Sequence, residues 1–244
     1  MNARLKQLAK GVCPDFLFHP ALRFRSRLRN RRFVNVPAAG VFADIYHNCS
    51  WGGVSVSGMG SDCEQTQSLR CGLPPLLEAC SIRGLLDVPC GDFSWMKLVD
   101  LGSRSYIGGD IVPELVERNN AQFGSSNRQF RVLDIMKDPL PSADLLLCRD
   151  CLIHLSIRDV GLALCNIARA EIPYVLTTNY PFITRNTDIV TGDFRAINLQ
   201  LPPFSLLKPV TVIPEDLFQE HKDDPNFIRE LALWRGSDFA RWRA

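Results

Sequence analysis

From residue 85 onward, short apolar runs alternate with polar breaks. "GLLDVP", "SYIGGDI", "QFRVLDI", "ADLLLCRD" and "PYVLTTNYP" read as runs of buried type, each followed by a break. Runs of this kind predict strands of a parallel sheet buried on both faces. Between them the spacing becomes helical. "VPELVERNNAQFG" offers Pro113 at a first-turn position, Glu114 beside it and Gly124 as a stop. After the fourth run, Ser156 and Asp159 make a capping-box-like start, and Ile157, Val160, Leu164 and Ile167 recur at helical spacing. The first run continues as "LLDVPCGDFSWM", read as a strand, a tight turn and a following helix. Strand and helix alternating in this way predict right-handed crossovers and a doubly wound, Rossmann-like α/β fold.

The two ends depart from that rhythm. "KPVTVIPED" and "ELALWR" read as two further strands whose connector is too short and polar for a crossover helix. They are expected as an antiparallel pair closing one edge of a mostly parallel, seven-stranded sheet. The segment "YHNCSWGGVSVSGMGSDCEQTQSLR" is rich in glycine and serine and precedes a helix that Asp62 and Gln65 are placed to cap. The expected organisation is an N-terminal basic arm and cap over residues 1–80, followed by a ligand-binding domain over 81–244.

Composition narrows the partners. A hydrophobic fraction of 46% and a charged fraction of 22% are those of an ordinary globular protein. A net charge of +2 gives no whole-surface field for nucleic acid, so an electrostatic partner must meet a local patch. "RFRSRLRNRR", with Arg23, Arg25, Arg27, Arg29, Arg31 and Arg32, is such a patch; it reads as a solvated arm or as a contact for a membrane surface or an anionic substrate. Most of the nine cysteines are expected as free thiols in a reducing cytosol. "CRDC", with Cys148 and Cys151, lacks the second ligand pair of a zinc site, so no metal is expected. No run approaches the roughly 18 apolar residues of a membrane span, and the expected location is the cytoplasm, with peripheral contact at the inner membrane through the arm.

In doubly wound sheets, ligands lie at the carboxyl ends of the strands, near the point where strand order reverses. The residues closing the first four strands are Asp87, Asp110, Asp134 and the pair Arg149 and Asp150. A dinucleotide turn carries three glycines so that a pyrophosphate can approach the backbone. Here Gly91 stands between Pro89 and Asp92–Phe93, where a diphosphate would meet a carboxylate and an aromatic ring. A phosphate-free, positively charged cofactor has the opposite requirement: one close backbone approach and nearby carboxylates. S-adenosylmethionine has those properties.

"LLDVPCGDFSWM", "YIGGDI", "VLDI" and "LLLCRDCLIHL" resemble the successive motifs of class I S-adenosylmethionine-dependent methyltransferases, over residues 85–180. The resemblance places Asp87 and Gly91 under the methionine moiety, Asp110 at the ribose diol and Asp134 with Ile135 at the adenine, with Ile111 and Arg149 also among the cofactor contacts. The missing outer glycines depart from the class pattern and leave the path of the first turn open. From the residues alone, Asp110 could instead cap the next helix and Asp134 could be a turn former. "NTDIVTGDFRAINLQLPPF" and "SWGGVSVSGMGS" resemble one bacterial branch of small methyltransferases. That resemblance implies O-methylation of a sugar hydroxyl on a glycan or glycolipid, such as position 2 of fucose on a lipochitooligosaccharide nodulation signal.

An attacking alcohol must lose its proton, so a base is expected after the fourth strand, where Asp150 and His154 stand. His154 reads either as that base or as a loop-fastening histidine. The Asn-Pro-Pro-Tyr-like loop of amine-methylating enzymes is absent there, because "TNYP" follows the fifth strand instead. Trp51, Ser57 and Ser61 of the cap and Asp193, Arg195 and Asn198 of a long polar loop are the expected substrate contacts, the alternative for that loop being a surface insertion on the sheet edge. Two rival functions remain at this level: an RNA methyltransferase using the arginine arm, which the small net charge and lack of an RNA-binding module disfavour, and a non-catalytic cofactor-binding protein.

Overall fold

The computed structural model describes residues 31–52, 54–215 and 224–243, so Arg23, Arg25, Arg27 and Arg29 of the basic arm lie outside the described residues. The sheet comprises β1 (Gly84–Asp87), β2 (Ser105–Asp110), β3 (Arg128–Val132), β4 (Leu145–Cys148), β5 (Tyr174–Asn179), β6 (Thr211–Pro214) and β7 (Glu230–Arg235). Its order is β3-β2-β1-β4-β5-β7-β6. The first five strands are parallel, and β7 and β6 close the edge antiparallel, as their short connector predicts. Strand order reverses between β1 and β4, which opens a crevice at their carboxyl ends.

Side chains on successive strand positions enter opposite layers. Leu86, Leu146 and Val175 pack against α4 (Ile157–Ala170), while Leu85, Leu145, Leu147 and Leu176 pack against α2 (Gln67–Ala79). The α4 helix starts as its sequence requires, with the Ser156 hydroxyl accepting the Asp159 amide at 3.1 Å. Likewise α3 (Pro113–Phe123) opens on Pro113 and stops at Gly124. Ahead of the sheet, α1 (Ala38–His47) buries Val41 and Ile45 with Phe33 against Val190, forming a small core over the loop that follows β5.

Two local expectations fail. No α-helix follows β1: the path to β2 is irregular apart from one short 3-10 turn, Met96–Leu98. Gly91 and Phe93 both take left-handed backbone, with φ of +55° and +59°, which interrupts helical propagation. The Asp92 side chain also accepts the Ser94 amide, competing with helical bonding. Nor do Asp62 and Gln65 cap α2. Thr66 precedes it without a side-chain cap, and the Asp62 carboxylate instead accepts the amides of Val54 and Ser55 at 3.3 and 3.2 Å. Among the described residues, no helix is long and apolar enough to cross a membrane.

Candidate active site

The crevice at the strand ends is a cavity of about 470 Å³, within the roughly 300–1,000 Å³ of small-molecule sites. Asp87, Gly91, Asp110, Ile111, Asp134, Ile135, Arg149, Asp150 and His154 all line it, together with Trp51, Ser57 and Ser61 from the N-terminal segment.

At one end lie two carboxyls on adjacent strands. Asp87 accepts the Tyr106 hydroxyl at 2.7 Å, and burial pushes its pKa up to about 7. Asp110 accepts the amides of Val112 and Gly91, each at 3.1 Å, yet burial still raises it to about 6. Asp110 does not cap α3, whose N-cap position is Val112. Gly91 has left-handed backbone, and a Cβ there would stand 2.3 Å from the Ser57 hydroxyl, so only glycine fits under that residue. Asp134 holds a turn by accepting the Met136 amide at 3.0 Å and also lines the cavity.

The other end carries a different electrostatic arrangement. Asp150 lies in a left-handed conformation with φ +50°, anchored by its amide donating to Thr178 Oγ1 at 2.9 Å. Burial alone would raise its pKa, but the guanidinium groups of Arg149 and Arg229, at 3.4 and 3.1 Å, outweigh burial and hold the carboxyl down at about 2. Such a group keeps its charge and is a poor proton acceptor near neutrality. His154 is the reverse case. Its Nδ1 lies 2.9 Å from the Asp193 carbonyl, which can only accept, so the proton is on Nδ1 and Nε2 holds the lone pair. Burial lowers its pKa below the usual histidine value, against the opposing pull of the Asp193 carbonyl and Asp150. The ring stacks on Trp51 with centroids 4.9 Å apart.

No protein-family profile and no curated protein sequence matches the chain. Solved structures do resemble it. Magnesium protoporphyrin IX methyltransferase from Synechocystis PCC 6803, solved with bound SAH, aligns over 80% of this chain and 98% of its own, with 11% identity and a TM-score of 0.56. The N-methyltransferase NodS from Bradyrhizobium japonicum WM9 aligns over 72% of this chain and 98% of its own, at 14% identity and a TM-score of 0.54. Human N-acetylserotonin methyltransferase aligns over 83% of this chain at 16% identity and a TM-score of 0.51, and there the chain spans only 60% of the other protein's length.

The chain has the class I S-adenosylmethionine-dependent methyltransferase fold. On this methyltransferase fold, the expected lip of Asp193, Arg195 and Asn198 requires correction, because none of the three lines the cavity. Arg195 donates to the Leu152 carbonyl at 2.8 Å, and its amide donates to the Ile153 carbonyl at 3.0 Å. The Asn198 side chain donates to the Pro181 carbonyl at 3.2 Å, and the Asp193 carboxylate accepts the Phe194 amide at 2.9 Å. Asp193, Asn198 and one guanidinium nitrogen of Arg195 are thus bonded to the backbone of their own loop and its neighbours, while Arg195 Nε and Nη2 are buried without a hydrogen-bond partner among the described residues. The residue of that stretch that does reach the cavity is Phe194.

Two residues of the cavity wall, Tyr180 and Arg229, and Glu215 behind them escape a reading strand by strand. The Glu215 carboxylate has no side-chain exposure and lies 2.7 Å from Arg149 and 3.0 Å from Arg229. Arg149 also donates to the Gly60 carbonyl at 2.8 Å and lies over the Trp95 ring. A signal existed in the antiparallel register: Pro214 pairs with Glu230, which brings Glu215 beside Arg229 once the two strands are aligned. Among the described residues, no group of three or more metal-ligating side chains gathers, and the described cysteines are free thiols.

Removing Glu215 leaves two buried guanidinium groups sharing Asp150. Glu215→Gln is expected to destabilise the protein by about 3–5 kcal/mol in urea denaturation. A loss below about 1 kcal/mol would show that the cluster is hydrated and not a buried network.

Proposed function

We propose that this protein is an S-adenosylmethionine-dependent methyltransferase whose acceptor is a hydroxyl on a sugar ring of a glycan or glycolipid, with fucose of a lipochitooligosaccharide the acceptor favoured by the motif resemblance. One observation carries the reading: a single cavity joins two buried carboxyls with raised pKa values to a histidine whose pKa burial lowers and whose Nε2 lone pair is free. The residues fit the cofactor's chemistry. Asp110 has the two oxygens a ribose diol needs, Asp87 offers a buried carboxylate to a cation, and Gly91 allows close backbone approach. Ile111 and Ile135 supply apolar walls for the adenine, with Asp134 beside them. When bound, S-adenosylmethionine supplies an electrophilic methyl group on a positively charged sulfur.

The chain's own residues supply the rest. His154 Nε2 accepts the proton as the hydroxyl oxygen attacks, and the imidazolium so formed is stabilised by the permanent charge of Asp150. Asp150 therefore acts as an electrostatic partner and is set aside as a base. Trp51 and Phe194 offer flat faces to a sugar ring, and the paired Asp150 and Arg229 offer hydrogen-bonding groups to its hydroxyls. The arginines from Arg23 to Arg32 support peripheral contact with an anionic membrane surface, where a glycolipid would be met.

Two outcomes follow from the charges. Protons on Asp87 and Asp110 compete with a cationic ligand, so affinity for S-adenosylmethionine should weaken about tenfold from pH 8 to pH 6 in calorimetry. In the ligand-free protein the sign is opposite: Asp87, raised from 3.8 to about 7, contributes stability that is lost as pH rises through that interval. Asp110→Ala should abolish most of the affinity, and unchanged binding in that variant would remove Asp110 from the site. For the transfer itself, His154→Ala should lower turnover on a fucosylated acceptor by about 100- to 10,000-fold, with cofactor affinity retained. The wild-type rate should fall only below about pH 6.5, because the histidine pKa is lowered. Wild-type turnover in His154→Ala would sink the base assignment.

A further inference from the structure

Asp92 has more hydrogen bonds than its turn requires. A turn-forming aspartate needs one bond to a nearby amide, and Asp92 has it, accepting the Ser94 amide at 3.1 Å. Its remaining bonds go to a distant segment, residues 54–61. The Ser55 hydroxyl and Val56 amide donate to Oδ2 at 2.9 and 3.2 Å, and the Ser57 hydroxyl donates to Oδ1 at 3.4 Å. In return the Asp92 amide donates to the Ser57 hydroxyl at 3.0 Å. Asp92 thus straps residues 54–61 across the first turn, and that strap forms part of the cavity wall.

The strap reaches the other end of the cavity through Gly58. This residue has a φ of +95°, and a Cβ on it would stand 3.1 Å from the Cβ of Trp51. The Trp51 indole in turn lies on the His154 ring at an interplanar angle of 27°. A continuous run of contacts therefore joins Asp92, the serines of the strap, Gly58, Trp51 and His154. Nothing in the methyl-transfer chemistry requires a carboxylate at position 92.

We propose that Asp92 is a positioning residue for His154, latching the 54–61 strap so that Trp51 is held against the imidazole and fixes the plane of the ring. The hydrogen bond from Nδ1 to the Asp193 carbonyl sets the tautomer but leaves the ring free to turn about that bond. The indole face removes this freedom and covers the ring from water. The groups that act electrostatically on His154 are Asp150 and Asp193, which favour its protonation, and Arg195, which opposes it. Asp92 is not among them. A loosened strap therefore changes the histidine through hydration and orientation, without a change of charge beside it.

The proposal rests on the reading of His154 as the base, and its test separates the two. The titration of His154 in the ligand-free, full-length protein is followed by NMR of isotope-labelled histidine, its signal assigned by loss in His154→Gln. In Asp92→Asn and in Gly58→Ala the midpoint is expected to rise towards the ordinary value of about 6.5, and turnover to fall by about 10- to 100-fold. Gly58→Ala strains the strap and sets a methyl group against Trp51 without altering the Asp92 carboxylate, so it reports whether the strap governs the ring should Asp92→Asn fail to fold. A wild-type midpoint in the folded variants overturns the latch. Wild-type turnover in His154→Gln would overturn the base assignment alone, because the midpoint still reports whether the strap governs the ring.

Discussion

Asp87 and Asp110 end two adjacent parallel strands, and both carboxyls are withdrawn from water. Parallel strands covered by helices on both faces have dry ends wherever the chain turns away, and a carboxylate left in such a place resists ionisation. Here the cost is visible as two raised pKa values, about 7 and about 6. Tyr106 and the amides of Gly91 and Val112 offset part of it by hydrogen bonding. On the function proposed above, a ligand that brings positive charge and hydroxyl donors would relieve the rest.

The opposite end of the cavity solves the reverse problem. Asp150 is also buried, yet two guanidinium groups keep it charged, and Glu215 balances them from behind. The four groups sum to zero charge, and of them Asp150 acts on the neighbouring histidine, favouring its protonation. His154 can then stay neutral through burial while retaining a nearby carboxylate that favours the imidazolium once a proton arrives. A charged residue that cannot take a proton and a neutral one that can are thereby separated by environment and not by residue type.

Much of this was legible in the sequence, and the limits have physical causes. The strands β1, β2, β4 and β5 announce themselves because burial on both faces demands unbroken apolar runs, and their closing residues follow directly. Asp87, Asp110, Asp134, Asp150 and His154 all reach one cavity for that reason. The helix after β1 was misread because two left-handed residues look like an ordinary tight turn on paper. Asp193, Arg195 and Asn198 do not line the cavity, because polarity in a long loop is consistent with a ligand or with the loop's own backbone, and here each of the three bonds to backbone. Glu215 and Arg229 depend on the pairing of β6 with β7, and Asp92 on a strap some 35 residues earlier. Contacts of that range have no local pattern.

The central claim is that the buried carboxyls give up protons when a cationic cofactor arrives. Calorimetric titration with S-adenosylmethionine at about pH 6.5, repeated in buffers of different ionisation enthalpy, counts those protons directly. The account predicts net release approaching one proton per site, with a smaller release for S-adenosylhomocysteine, which lacks the sulfonium charge. Binding with no buffer dependence would contradict it, because Asp87 would then already be ionised, or would lie away from the cofactor.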